Sequence, residues 1–203
     1  MTDRQEQIRH LQDETIRTLA PHLTEDQNQV VFGDGNPNAT LMLVGEAPGP
    51  QEDKEGVPFV GRSGQLLSAM LEELGLSRDD IWISNVVKVW PTTRNGNSLR
   101  TRPPRAAERK ASRPFFEREV ALIQPEAIIC LGGTAAKELI DRSFKITEER
   151  GEWRTGPQGI PTMATYHPSY ILRIQSMDPE RGQEMEREFV DDLRRAATRA
   201  GML

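Results

Sequence analysis

Thr40-Leu-Met-Leu-Val-Gly-Glu46 is the stretch from which the fold is read. This short apolar run follows the turn-forming Gly33-Asp-Gly-Asn-Pro-Asn38 and leads into Ala47-Pro-Gly-Pro50, the pattern of a buried strand between turn signals. Working outward, Ile81-Trp-Ile-Ser-Asn-Val-Val87 has the β-branched and aromatic character of a second strand. Ala127-Ile-Ile-Cys-Leu131 and Ile160-Pro-Thr-Met-Ala-Thr165 supply a third and a fourth.

Helical spacing fills the intervals. Ile8, Leu11, Ile16 and Leu19 fit an amphipathic helix over residues 3–20, ended by Pro21. Ser63 can cap a helix carrying Leu66, Leu67, Met70, Leu71 and Leu74, with Gly75 as its stop. Residues 46–62 read as loop, and residues 88–105 as a basic Pro/Arg/Asn segment. Further helices are predicted over 105–123, over 135–140 after Gly132-Gly133-Thr134, and from Pro179 onward with Met185, Phe189, Val190 and Leu193. Strands alternating with helices predict an α/β fold with a short, mainly parallel four-stranded sheet covered on both faces. One domain over residues 1–203 is expected, with 1–25 as an N-terminal helical extension and 177–203 as a C-terminal helix.

Composition removes several functional classes. The 203 residues hold one cysteine and three histidines, His10, His22 and His167, far apart in sequence. A disulfide framework, a cysteine zinc site and an all-cysteine iron–sulfur cluster each need more thiolates than that. No apolar run approaches the ~18–20 residues of a membrane span, and Met1-Thr2-Asp3-Arg4-Gln5 is charged where a secretory signal is apolar. The expectation is a cytoplasmic protein with no membrane partner. The net charge of −5 hides an asymmetry: residues 88–118 carry nine bases and two acids. Such a block either tracks a polyanion such as a phosphate backbone or forms a solvated helix face and loop.

In sheets of this kind ligands sit beyond the carboxyl ends of the strands. Gly45–Gly49, Asn85–Pro91, Gly132-Gly133 and Tyr166–Arg173 all fall there and would converge on one rim. Phe59, between tight turns in Gly56-Val-Pro-Phe-Val-Gly-Arg62, is either a stacking surface or a plug for the core beneath its loop. Asn85 either reads a base edge with its amide or closes a turn. His167 is either a structural hydrogen-bonding residue or a participant in chemistry.

The order of these segments is more telling than any one of them. Gly45-Glu-Ala-Pro-Gly49, Glu52-Asp53, Gly56-Val-Pro-Phe-Val-Gly61, Ser84-Asn-Val-Val-Lys88, Pro125-Glu-Ala-Ile-Ile129, Leu131-Gly132 and His167-Pro-Ser-Tyr-Ile-Leu-Arg173 resemble the family 4 uracil-DNA glycosylases over about residues 30 to 175. The resemblance implies a three-layer αβα sandwich and an enzyme that flips uracil out of DNA and hydrolyses its N-glycosidic bond. It implies that Phe59 stacks on uracil, Asn85 reads the N3/O4 edge, and Glu52 crowds C5, where thymine carries a methyl. His167 would donate to O2 as charge grows on the departing base, while Glu46 and backbone groups around Ala47 place the attacking water. Tyr170, Ile171 and Leu172 fall where the family inserts an apolar wedge, with Ser169, Arg173, Lys88, Arg100, Arg102 and Arg105 as DNA contacts.

Two departures matter. Family 4 members carry a four-cysteine cluster, and two of its ligand places hold Val89 and Ser112 here, so no cofactor or metal is expected; packing around Val89, Trp90, Phe115 and Phe116 would replace it. Relatives that trap themselves covalently on the abasic sugar use a histidine where this chain has Thr101, so a monofunctional, monomeric hydrolase acting on uracil-containing DNA is expected. The alternatives are a catalytically silent nucleic-acid-binding member of the fold and a glycosylase for another deaminated base, hypoxanthine or xanthine.

Overall fold

A computed structural model describes residues 3–203; the first two residues of the expected N-terminal extension lie outside it. Helix α1 (Asp3–Leu19) leads to strand β1 (Asp34–Gly35), then β2 (Leu41–Gly45), α2 (Pro50–Glu55), α3 (Arg62–Glu72) and β3 (Trp82–Asn85). A hairpin of β4 (Thr92–Asn95) and β5 (Ser98–Thr101) precedes α4 (Ala106–Ile123), β6 (Ala127–Leu131), α5 (Gly133–Leu139) and α6 (Ile146–Glu149). Strands β7 (Arg154–Thr155) and β8 (Pro161–Thr165) and helices α7 (Pro168–Met177) and α8 (Pro179–Arg199) complete the chain.

The main sheet has the order β1-β3-β2-β6-β8-β7. The four strands expected from the sequence form its parallel centre, with Leu43 opposite Ile83 and Ile129, and Cys130 opposite Ala164. The count of four is corrected to six, because two-residue antiparallel strands flank that centre. Both are exposed or half-exposed and too short to leave a periodic trace. Residues 50–55 and 92–101, read as irregular, form α2 and the β4–β5 hairpin.

Strands β2 and β6 are buried at every position, which is why they read as unbroken apolar runs rather than alternating ones. Their side chains nevertheless sort by parity. Leu41, Leu43, Ile83, Ile129 and Met163 meet Leu67 and Leu71 of α3 and Phe189 and Leu193 of α8 on one face. Met42, Val44, Trp82 and Ile128 meet Leu11 of α1 and Phe116, Val120 and Ile123 of α4 on the other. Helices on both faces make three layers, and every central strand delivers its carboxyl end to the same edge.

A charged pair sits inside this packing. Lys88 is 0% exposed; its Nζ donates to Ser84 Oγ at 2.7 Å and to Glu119 Oε2, while Trp82 Nε1 donates to the other Glu119 oxygen at 2.7 Å. Its backbone N–H donates to Ser112 Oγ at 3.0 Å, and its ammonium lies 5.3 Å and 5.5 Å from the ring centres of Phe32 and Phe116. Burial pushes the Lys88 ammonium below its ordinary range, and Glu119 works against that shift. Lys88 therefore cannot be the phosphate contact expected from its charge.

Removing one partner of a buried pair leaves the other unpaired, at a cost of about 3–5 kcal/mol, whereas replacing both with apolar groups is often near neutral. Urea unfolding is expected to show Glu119→Ala destabilised by about that much, and Lys88→Met with Glu119→Leu to recover most of the loss.

Candidate active site

The carboxyl ends of β2, β3, β6 and β8 open into a cleft of about 1200 Å³ lined by Glu46, Ala47, Glu52, Phe59, Asn85 and His167, among others. Residues as far apart as 46 and 167 meet here because the parallel centre aligns their strand ends.

The wall carrying Phe59 is built by Glu52. Its Oε1 accepts the backbone N–H groups of Val60 (2.9 Å) and Gly61 (2.8 Å), and its Oε2 accepts that of Gly49 (3.1 Å). One carboxylate thus joins the start of α2 to the start of α3 and fixes the loop between them. Phe59 adopts a left-handed backbone, φ 53°, which a β-unbranched aromatic takes only under constraint. The constraint is visible: Arg78 donates to the carbonyls of Pro58 (2.7 Å) and Phe59 (2.9 Å), and a side chain on Gly64 would lie 1.8 Å from the Phe59 carbonyl oxygen. Phe59 reaches both of its proposed places, since its ring packs on the core and also lines the cleft, 5.8 Å from the His167 ring. Gly45 lets it in, because a Cβ there would stand 2.4 Å from Asn85 Oδ1 and 2.6 Å from Phe59 Cζ.

Asn85 ends β3 at 2% exposure, and its Oδ1 is buried with no hydrogen-bond partner among the described residues. Such an orphan costs about 1–3 kcal/mol unless a ligand satisfies it. Across the cleft, His167 caps α7; its Nδ1 accepts the Ser169 N–H at 3.1 Å and lies 2.7 Å from Ser169 Oγ. That acceptor role places the ring proton on Nε2. Burial pushes the imidazole pKa down to about 4, against a smaller pull upward from Glu52, so the ring is a neutral donor at physiological pH.

Glu46 follows β2. Burial raises its carboxyl pKa, while the Thr134 hydroxyl and the Arg109 charge oppose the rise and Glu138 adds to it. Arg109 Nη2 stands 3.3 Å from Glu46 Oε1. No sequence pattern links Arg109 or Arg78 to this cleft; each arrives through an ion pair or carbonyl contact that only the folded chain creates.

The expected DNA contacts divide. Arg100, Arg105, Ser169, Tyr170 and Arg173 are exposed, and Leu172 is half-buried. Ile171 is 0% exposed and belongs to the core beneath α7, so the expected wedge loses its middle residue. Arg102 lines the cleft but is held by Glu108 through bonds of 2.8 and 2.6 Å. Thr101 also lines it, and its Oγ1 accepts the Trp90 indole N–H at 2.9 Å.

A four-cysteine cluster does not fit these residues. Cys130, the single cysteine, lies in the middle of β6, fully buried, and burial pushes its thiol far above the ordinary range. Val89 packs against the α1–α4 side of the core, and the Ser112 hydroxyl is occupied by Lys88. Among the described residues no three His, Cys, Asp or Glu side chains are grouped as metal ligands. Phe115 and Phe116 belong to one core cluster with Val89 packed against it, Trp90 is buried but outside it, and the polar Lys88–Glu119 pair lies beside Phe116.

Known proteins resemble the chain over most of its length. The Type-4 uracil-DNA glycosylase of Thermotoga maritima is 36% identical over 200 residues, 97% of this chain and 96% of that protein. That of Sulfurisphaera tokodaii is 36% identical over 173 residues, covering 81% and 76%, and that of Pyrobaculum aerophilum is 34% identical over 176, covering 83% and 86%. Residues 32–194 match the sequence profile of the Uracil DNA glycosylase superfamily, and the chain belongs to that family.

Proposed function

We propose that the protein excises uracil from DNA, flipping the nucleotide into the cleft and hydrolysing the bond between uracil N1 and the sugar C1′. The observation that carries this reading is the buried Oδ1 of Asn85, without a partner among the described residues, in the cleft that Phe59 and His167 also line. Uracil offers N3–H to that oxygen and O4 to the amide nitrogen beside it. Cytosine presents the reverse pattern and would leave buried groups unpaired, the kind of mismatch that discriminates most strongly. Phe59 takes the face of the ring, and Glu52, pinned by three amides, holds the wall nearest C5.

As the N1–C1′ bond breaks, its electron pair moves to uracil and charge gathers on O2. The neutral His167 presents Nε2–H to that oxygen, a donor already oriented in the folded chain. Water directed by Glu46 and the backbone at Ala47 attacks the oxocarbenium-like C1′, and a carboxylate whose proton affinity is raised by burial takes the proton released. Thr101 offers no nucleophile comparable to histidine, so the enzyme is monofunctional. It works as one domain and as a monomer, without an iron–sulfur cluster, in the cytoplasm of a bacterial or phage-infected cell. Arg100, Arg102, Arg105, Ser169, Tyr170, Leu172 and Arg173 form the surface that meets DNA around the cleft.

Single-turnover incubation with a labelled oligonucleotide containing one uracil, followed by alkali, tests the activity. Strand breakage at uracil and not at cytosine or thymine is expected, with no visible absorbance from the protein; intact uracil strands in both single- and double-stranded contexts would refute the reading.

Asn85→Ala and His167→Ala are each expected to slow release by about two orders of magnitude or more while leaving DNA affinity within a few fold, measured by single-turnover rates and anisotropy. The wild-type rate is expected to show no limb near pH 6.5 from His167, since its imidazole stays neutral down to about pH 4. Replacing Arg100 and Arg105 with Ala should flatten the dependence of log affinity on log salt by about 0.9 for each phosphate that is no longer neutralised.

A further inference from the structure

Arg109 sits on the first turns of α4 with its three guanidinium nitrogens close to three different segments. Nη2 stands 3.3 Å from Glu46 Oε1, at the end of β2. Nε stands 2.8 Å from Glu138 Oε1 on α5, an ion-pair contact in which the N–H does not point at the oxygen. Nη1 donates to the carbonyl of Pro104 at 2.6 Å, in the segment joining the β4–β5 hairpin to α4. A planar guanidinium can serve two carboxylates and a carbonyl at once, which a lysine cannot.

We infer that Arg109 is a positioning residue for the hydrolytic step, holding the Glu46 carboxylate at the cleft and separating it from Glu138. The inference rests on the proposed uracil excision. Arg109 is not among the residues lining the cleft, so it acts through Glu46 rather than on the substrate. The groups that act on Glu46 come from two elements: Arg109 from α4, and Thr134 and Glu138 from α5. Without Arg109, a half-buried carboxylate would face a like charge with no cation between them, and both effects favour the protonated form. A protonated Glu46 cannot take a proton from water, so loss of Arg109 acts most strongly at low pH. Pro104 gives the same residue a second consequence, because the base of the hairpin is fixed to the group that fixes Glu46.

The test is the pH profile of single-turnover uracil release for wild type, Arg109→Ala, Arg109→Lys and Glu46→Gln, with Arg113→Ala as a control on the exposed side of α4. Arg109→Ala is expected to move the acid limb upward by about one pH unit, so that release falls about tenfold on the limb itself while the loss on the plateau at higher pH is small. Arg109→Lys should recover part of the shift, Arg113→Ala should match wild type, and Glu46→Gln should lose the limb. Adding Arg109→Ala to Glu46→Gln should then slow release no further. If wild type releases uracil and the Arg109→Ala profile superimposes on it, or the double variant is slower by the product of the single losses, the inference is wrong and the excision reading stands. If wild type releases none, that reading fails, and carbon-13 titration of the Glu46 carboxyl still decides: an upward move in Arg109→Ala supports the electrostatic role and an unmoved titration overturns it. Should Arg109→Ala fail to fold, the same two readouts on Arg109→Lys carry the decision.

Discussion

A single carboxylate, that of Glu52, holds the geometry of the cleft. It takes three backbone N–H groups from two helix starts, and hydrogen bonds to a charged acceptor contribute about 1.5–3 kcal/mol each. The strain it helps to impose, a left-handed backbone at Phe59, costs about 1–3 kcal/mol. The first quantity exceeds the second, so the loop rests in the strained form without substrate. Arg78 secures the same loop from outside through two carbonyls, and Gly64 gives the Phe59 carbonyl room to approach α3. The Phe59 ring is therefore fixed in the cleft wall by the fold itself.

Beneath that clamp lies a second constraint of a different kind. Lys88 and Glu119 connect the end of β3 to α4, and the desolvation of such a pair is recovered only when its remaining hydrogen-bonding capacity is met. Ser84, Trp82 and the two flanking rings meet it here. The segment that follows Asn85 is thereby fixed by polar contacts inside the protein, in the region where the resemblance to family 4 would place cysteine ligands. Ser112 serves this network as an acceptor for the Lys88 backbone N–H.

The sheet centre is legible in the sequence because β2 and β6, buried on both faces, leave uninterrupted apolar runs, while β3 and β8 carry strand-forming residues between turn signals; together the four carry the site prediction with them. The edges are not, since Asp34–Gly35 and Arg154–Thr155 are two residues each with no alternation to detect. The hairpin does leave a signal: Asn95-Gly96-Asn97 lies between two threonine-bearing runs, a turn dipeptide flanked by strand formers. Lys88 reads as a surface charge because lysine is almost never buried unless paired, and its partner lies 31 residues away. Ile171 reads as part of a wedge because motif position says nothing about which face of α7 turns inward. Arg78 and Arg109 act through contacts that no local pattern encodes.

The basic block shows the same limit in its most general form. Of the nine bases in residues 88–118, Lys88 pairs with Glu119, Arg94 with Asp26, Arg102 with Glu108, Arg109 with Glu46 and Glu138, Arg113 with Glu117 and Arg118 with Glu14. Five of those acids lie outside the block, so its apparent surplus is largely neutralised by residues distant in sequence. Arg100, Arg105 and Lys110 are the exposed remainder. A protein that is acidic overall and has committed most of its local cations to its own fold has little long-range field with which to hold DNA. The cleft differs from that surface, since it holds a buried amide oxygen with no partner among the described residues, a ring fixed by its loop and a neutral imidazole. Two of the cations so committed serve the cleft itself, Arg102 in its lining and Arg109 on Glu46, so the pairing that removes charge from the surface also fixes residues around the pocket.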